Sequence, residues 1–222
     1  MTPASVSAAG WDRVAQFYAL QARWEVPALE VSVALADVTP IDRVLDAACG
    51  TGLWSRTLLA SGAQPARLTG VDQSRKMLER ASAVGSLEPV QAPLHALPFP
   101  DASFDVVALS YALHLLSHQD VAAALHELAR VLAPDGRIVA VTPCEASGPL
   151  GRMISCAARI ASDTRWRALG GLRPMDPAPA LDATGFRVDH SERIHRGYPS
   201  WCVRARPVSA RSTIEPMVGG AS

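Results

Sequence analysis

The chain has 222 residues, with 21 Lys+Arg against 21 Asp+Glu, 49% hydrophobic residues and 5% aromatic residues. That length and apolar share support one domain with a full core, and no run of roughly eighteen apolar residues is present to span a membrane. Zero net charge, few aromatics and a single lysine, Lys76, argue against nucleic acid as the main partner, although residues 1–149 hold 10 basic and 15 acidic side chains while residues 150–222 hold 11 and 6.

The N-terminus lacks a basic n-region, and its apolar stretch at 26–36 is broken by Pro27 and Glu30. No signal peptide is read, and the cytoplasm is the expected compartment. Four cysteines, Cys49, Cys144, Cys156 and Cys202, show no C-x-x-C or paired spacing, which argues against a zinc knuckle and against a disulfide framework. Residues 1–10 are small and polar and are expected to fray. From Trp11 to about Asp37 the apolar spacing is helical, with Pro27 starting a second helix. Ile41, Val44 and Leu45 end a buried strand closed by Asp46. Gly50 and Gly52 turn the chain, and Leu53 to Leu59 opens a helix. Ala66 to Asp72 reads as a second strand, Ser74 as the N-cap of a helix through about Ala83, and Leu87 to Gln91 as a third strand. Phe104 to Ser110 is a fourth, buried strand. Asp120 to Leu132 is a helix ended by Pro134-Asp135-Gly136, and Arg137 to Thr142 is strand five. Pro149 to Leu169 and Ala178 to Thr184 read as helices. Gly185 to Ile194 and Ser200 to Arg206 form an antiparallel hairpin around Gly197-Tyr198-Pro199. Residues 209–222 are Ser/Gly-rich and expected to be disordered. This rhythm specifies a doubly wound parallel sheet covered on both faces. Ligands of such sheets bind beyond the carboxyl ends of the strands, where Asp46, Asp72 and Ser110 fall.

The stretch Asp46-Ala47-Ala48-Cys49-Gly50-Thr51-Gly52 carries the strongest functional signal. A strand, a glycine turn and a helix N-terminus bring backbone close to a ligand. A dinucleotide pyrophosphate wants G-x-G-x-x-G; here position 55 is Ser55, and a carboxylate four residues before the first glycine would repel it. The same carboxylate suits a ligand end that carries an ammonium group, such as the methionine end of S-adenosylmethionine. Asp72, some twenty residues past the turn, can accept from two ribose hydroxyls, which alone fits either ligand. An ordinary strand–turn–helix with no ligand is the remaining reading. Cys49 reads as a small buried spacer.

Three segments together narrow the choice: the D-x-x-C-G-T-G run itself, Leu97-Pro98-Phe99-Pro100-Asp101-Ala102-Ser103-Phe104-Asp105, and Arg130-Val131-Leu132-Ala133-Pro134-Asp135-Gly136. They closely resemble the signatures of class I S-adenosylmethionine-dependent methyltransferases. The resemblance covers roughly residues 40–142 well and the flanks in outline. It implies a Rossmann-like, doubly wound seven-stranded α/β sheet with a C-terminal antiparallel hairpin and an N-terminal helical cap. The implied layout is one domain over 1–208, with 1–38 the cap, 40–142 the cofactor-binding core and 143–184 a substrate lid. The implied activity is methyl transfer from S-adenosylmethionine to an oxygen or carbon of a small organic acceptor, needing no metal. A homodimer stays open. The rival readings are a regulatory or scaffold protein that binds the cofactor without transferring methyl, and an NAD-dependent oxidoreductase.

The resemblance also distributes roles. Cofactor contacts fall to Asp46, Ala48, Gly50, Gly52, Asp72, Gln73, Ser110, the backbone amide of Leu94, and Tyr18 from the cap. Tyr18, Trp54 and Tyr111 offer aromatic faces to a sulfonium. The family usually places an aspartate for the adenine amino group where this chain has Pro93, which has neither carboxylate nor N–H; Gln91 can approach instead. His114, past the end of strand four, is the candidate general base, titrating near about 6.5 if unperturbed, with His95 second. Arg152, Arg159, Arg165, Arg167 and Arg173 either neutralise an anionic acceptor or face water.

Overall fold

The computed structural model describes residues 23–145 and 173–208. Helix α1 (23–36) leads into β1 (Arg43–Ala47), α2 (Leu53–Ala60), β2 (Arg67–Asp72), α3 (Arg75–Ala81) and β3 (Glu88–Gln91). Strand β4 (Phe104–Ser110), a 3₁₀ turn (Leu113–Leu115), α4 (His118–Val131) and β5 (Leu132–Pro143) follow. After the undescribed segment come α5 (Ala178–Ala183), β6 (Phe186–Ile194) and β7 (Ser200–Pro207). No described helix is long and apolar enough to cross a membrane.

The seven strands form one sheet in the order β3-β2-β1-β4-β5-β7-β6. The first five run parallel, β7 runs antiparallel to β5, and β6 antiparallel to β7. Successive side chains of a strand point to opposite faces, so apolar runs on β1, β4 and β5 feed two cores at once. Val44, Val106, Ala108, Val139 and Val141 pack under α1, α2 and α3. Leu45, Val107, Leu109, Ile138 and Ala140 pack under α4 and α5. The seven-stranded sheet and its terminal hairpin stand as read from the sequence.

Polar ties fix the amino ends of the strands. Arg43 clamps Asp105, donating from Nε to Oδ2 and from Nη2 to Oδ1, both at 2.9 Å. Arg137 pairs with Asp42 at 2.8 Å and donates to the carbonyls of Ala36 and Asp37, tying the end of α1 to β5.

Four boundaries differ from the sequence reading. Helix α1 runs through Pro27 rather than starting at it, and the Trp24 carbonyl accepts the Tyr198 N–H at 2.7 Å, which ties this helix to the turn before β7. The described part of α1 is a layer of the core, while the segment expected to close over the cofactor, with Tyr18, lies outside the described residues. Helix α4 begins at His118, since Ser117 caps it by accepting the Asp120 N–H at 3.2 Å. Pro134-Asp135-Gly136 is an irregularity inside β5, which already pairs with β4 at Leu132–Phe104 before the register shifts. Of the expected lid over 143–184, residues 146–172 lie outside the described residues, and α5 belongs to the core, with Leu181 fully buried.

Candidate cofactor and acceptor site

The order in which strands are added reverses between the parallel strands β1 and β4, the switch point at which open α/β sheets bind ligands. The backbone there is unusual. Ala48, the first residue past β1, has φ 54°, and Tyr111, the first past β4, has φ 53°. Such left-handed conformations cost a non-glycine residue about 1–3 kcal/mol, so the surroundings over-determine them. Gly50 (φ 53°) and Gly52 (φ 75°) complete the turn. A Cβ on Gly52 would stand 3.0 Å from Val84 Cγ2, whereas one on Gly50 would meet nothing within 4 Å. Gly50 therefore presents bare backbone to open space.

Asp72 ends β2 beside this turn. Its Oδ2 accepts the Gly50 N–H at 2.9 Å and its Oδ1 accepts the Ser74 N–H at 2.8 Å. One carboxylate thus holds the glycine turn and the entry to α3, and each oxygen retains acceptor capacity for a ligand hydroxyl. The carbonyl of the next residue, Gln73, accepts from Gln91 Nε2 at 3.1 Å, so Gln91 braces this loop from β3.

Asp46 is 1% exposed, and its Oδ2 accepts the Ser55 hydroxyl at 2.6 Å and the Ser55 N–H at 3.2 Å. The Asp46 carboxylate, read from the sequence as suited to an ammonium group, has one oxygen committed to the first turn of α2. Ser55, the residue that breaks the dinucleotide glycine pattern, is the one that orients Asp46. Burial pushes the Asp46 pKa up to about 7 against both Ser55 bonds, and the neighbouring Asp72 charge adds to the rise. Cys49 is a buried spacer whose N–H donates to the Val71 carbonyl at 2.8 Å, and burial pushes its thiol well up.

The proline loop runs from the carboxyl end of β3 to the amino end of β4 and is held near that amino end by one guanidinium. Arg130 donates to the carbonyls of Phe99 (2.9 Å) and Leu97 (3.2 Å), to Asp101 (2.7 Å) and to both oxygens of Glu127. Glu127 Oε1 in turn accepts the Leu97 N–H at 2.8 Å. The second and third sequence segments are therefore one device, and its role in shaping the loop that carries Pro93 and Leu94 was not read from the sequence. Leu94 is partly buried against the core, and His95 is exposed.

Beyond β4 lies a second group. Ser110 Oγ and His114 Nδ1 are buried without a partner among the described residues. His114 is 6% exposed, and its ring stands edge-on to Tyr111 with centroids 6.5 Å apart. Burial, helped by the charge of Arg173, pushes its pKa down to about 3. The value near about 6.5 read for an unperturbed imidazole does not apply, because the ring is buried and is neutral at physiological pH. Tyr111 OH shares a 2.7 Å hydrogen bond with Ser200 Oγ, which itself donates to the Tyr198 carbonyl, so Tyr111 is the donor. Trp54 belongs to the core, donating from Nε1 to Ser32 Oγ at 3.1 Å. Tyr18 lies outside the described residues. A cleft of about 300 Å³ lined by Gly136, Arg187 and Arg206 opens at the opposite, amino edge of the sheet and takes no part in this site.

Residues 44–136, which span the glycine turn, the loop and the start of β5, match the family model described as "Methyltransferase domain". Over this stretch the core is similar to methyltransferase domains. The demethylmenaquinone methyltransferase of Lactococcus lactis is 35% identical over 122 residues, 52% of this chain and 47% of that protein. The uncharacterised methyltransferase YcgJ of Bacillus subtilis is 37% identical over 119 residues, 51% of this chain and 45% of that protein. The chain thus spans about half the length of the curated relatives it matches. Among solved structures, an S-adenosylmethionine-dependent methyltransferase from Mesorhizobium loti is 26% identical, with TM-score 0.60, covering 82% of this chain and 97% of that one.

Proposed function

We propose that the chain transfers a methyl group from S-adenosylmethionine to an oxygen or carbon of a small organic acceptor. The observation that carries this reading is the open backbone of Gly50 tied to Asp72, at the switch point of a core similar to methyltransferase domains. The residues present fit the cofactor. Asp72 accepts from ribose hydroxyls, with Gln73 beside it. Gly50 and the strained Ala48 allow close approach of the amino-acid end, and buried Asp46 is drawn to its carboxylate form by an ammonium group. Leu94 offers its amide to the adenine.

When bound, S-adenosylmethionine supplies an electrophilic methyl carbon, displaced in line from sulfur by the acceptor atom. The chain's part is alignment and the exclusion of water. Strands β1 and β2 position the cofactor half, and the turn after β4 positions the acceptor half. There His114, neutral and unpartnered at Nδ1, serves the acceptor through a hydrogen bond rather than as a strong base. Incubation with methyl-labelled S-adenosylmethionine and a small-molecule extract tests the activity: label should appear in a product heavier than its precursor by one methylene. Turnover-free cofactor binding across broad extracts would favour a regulatory protein instead.

A further inference from the structure

The acceptor half of the carboxyl edge carries a cation that no described carboxylate neutralises. Thr142 Oγ1 donates to the Met175 carbonyl at 2.6 Å, and the Met175 N–H donates to the Pro143 carbonyl at 2.9 Å. These two bonds fasten the start of segment 173–175 across the carboxyl end of β5. From there Arg173 reaches the 3₁₀ turn after β4, where its Nη2 donates to the Leu116 carbonyl at 3.1 Å. Its side chain is half-buried. Arg43, Arg130, Arg137, Arg204 and Arg206 each have a carboxylate oxygen within 3.0 Å; among the described residues Arg173 has none.

A half-buried guanidinium with one donor committed to a carbonyl keeps most of its planar fork, the geometry that matches an organic oxyanion bidentately. The two unpartnered buried atoms, Ser110 Oγ and His114 Nδ1, lie on residues of the same edge. Buried polar atoms are nearly always hydrogen-bonded, so two orphans beside an unneutralised cation call for a ligand that matches all three. An uncharged acceptor would leave the guanidinium uncompensated beneath any cover, a costly arrangement. A carboxylate or comparable oxyanion removes that cost and supplies oxygens to the neutral imidazole and the hydroxyl.

Resting on the methyltransferase reading, we propose that the methyl acceptor is an organic acid, that Arg173 binds its ionised oxygens, and that Ser110 and His114 hydrogen-bond the same molecule. The test is calorimetry on the full chain saturated with S-adenosylhomocysteine. The probes are benzoate, salicylate and 4-hydroxybenzoate, each compared with its neutral amide. At least one acid should bind more tightly than its amide. Arg173→Gln should weaken that acid by about ten- to a hundredfold, the usual range for hydrogen bonds to a charged group, and leave S-adenosylhomocysteine affinity unchanged. Arg187→Gln, on the opposite edge, should change neither. No preference for any acid, or a preference that survives Arg173→Gln, overturns the proposal. Failure of the wild type to bind S-adenosylhomocysteine overturns the methyltransferase reading itself, and the anchor falls with it.

Discussion

Replacing Asp46 by asparagine separates its geometry from its charge. Asparagine keeps an oxygen for the Ser55 hydroxyl and N–H, so the turn should survive, but the titration disappears. In the folded protein the Asp46 pKa stands at about 7, raised from 3.8 by burial. The folded state therefore binds more protons than the unfolded state between those values, and this group's contribution to stability is lost as pH rises through the window. About three pKa units correspond to roughly 4 kcal/mol. His114 acts in the opposite direction: its pKa falls from 6.5 to about 3, so it destabilises the fold as pH drops through that range. The wild type should thus be nearly flat in this window because the two titrations oppose each other. Asp105, held low by Arg43, acts below it, and Glu127, held low by Arg130, overlaps only its acid end and cancels in the difference between the two proteins. Urea unfolding of both proteins from about pH 4 to 8 at constant ionic strength isolates Asp46 as a difference. The asparagine variant should gain on wild type by up to about 4 kcal/mol as pH rises across the window. A difference that stays constant with pH would show that Asp46 is ionised throughout and refute the reasoning.

Asp72→Ala should weaken S-adenosylmethionine binding by about 1.5–3 kcal/mol, measured by calorimetry, since it removes a charged acceptor and unties Gly50. Arg130→Met should lower unfolding stability by about 1–3 kcal/mol and make the loop at 93–100 exchange faster by hydrogen–deuterium exchange, because the carbonyls of Leu97 and Phe99 lose their donor. His114→Gln should lower turnover without altering the pH–rate profile between pH 6 and 8, because the wild-type imidazole is already neutral there. An inflection near about 6.5 that vanishes in the variant would restore it as a titrating base.

The sheet was legible because its central strands are buried on both faces and read as apolar runs, and because Asp46, Gly50 and Asp72 fall at strand ends. What sequence could not show are contacts between distant residues. Arg130 reaches Asp101 across 29 positions and Arg43 reaches Asp105 across 62, and no local pattern signals either pairing. His114 is a different case. Its neighbours, Leu113, Leu115 and Leu116, form an apolar run that announces burial, and reading that run would have predicted a depressed pKa. Ser55 likewise registered only as a missing glycine, although a hydroxyl nine residues past a buried aspartate is within reach of it once the turn folds back.

Calorimetric titration of the full chain with S-adenosylmethionine, S-adenosylhomocysteine and NAD tests the cofactor assignment most directly. On the proposed reading Gly50, Asp46 and Asp72 hold an ammonium-bearing adenosyl ligand, so both S-adenosyl compounds should give saturable binding that Asp72→Ala weakens in parallel, and NAD should give none. Saturable NAD binding with no heat from either S-adenosyl compound would contradict it.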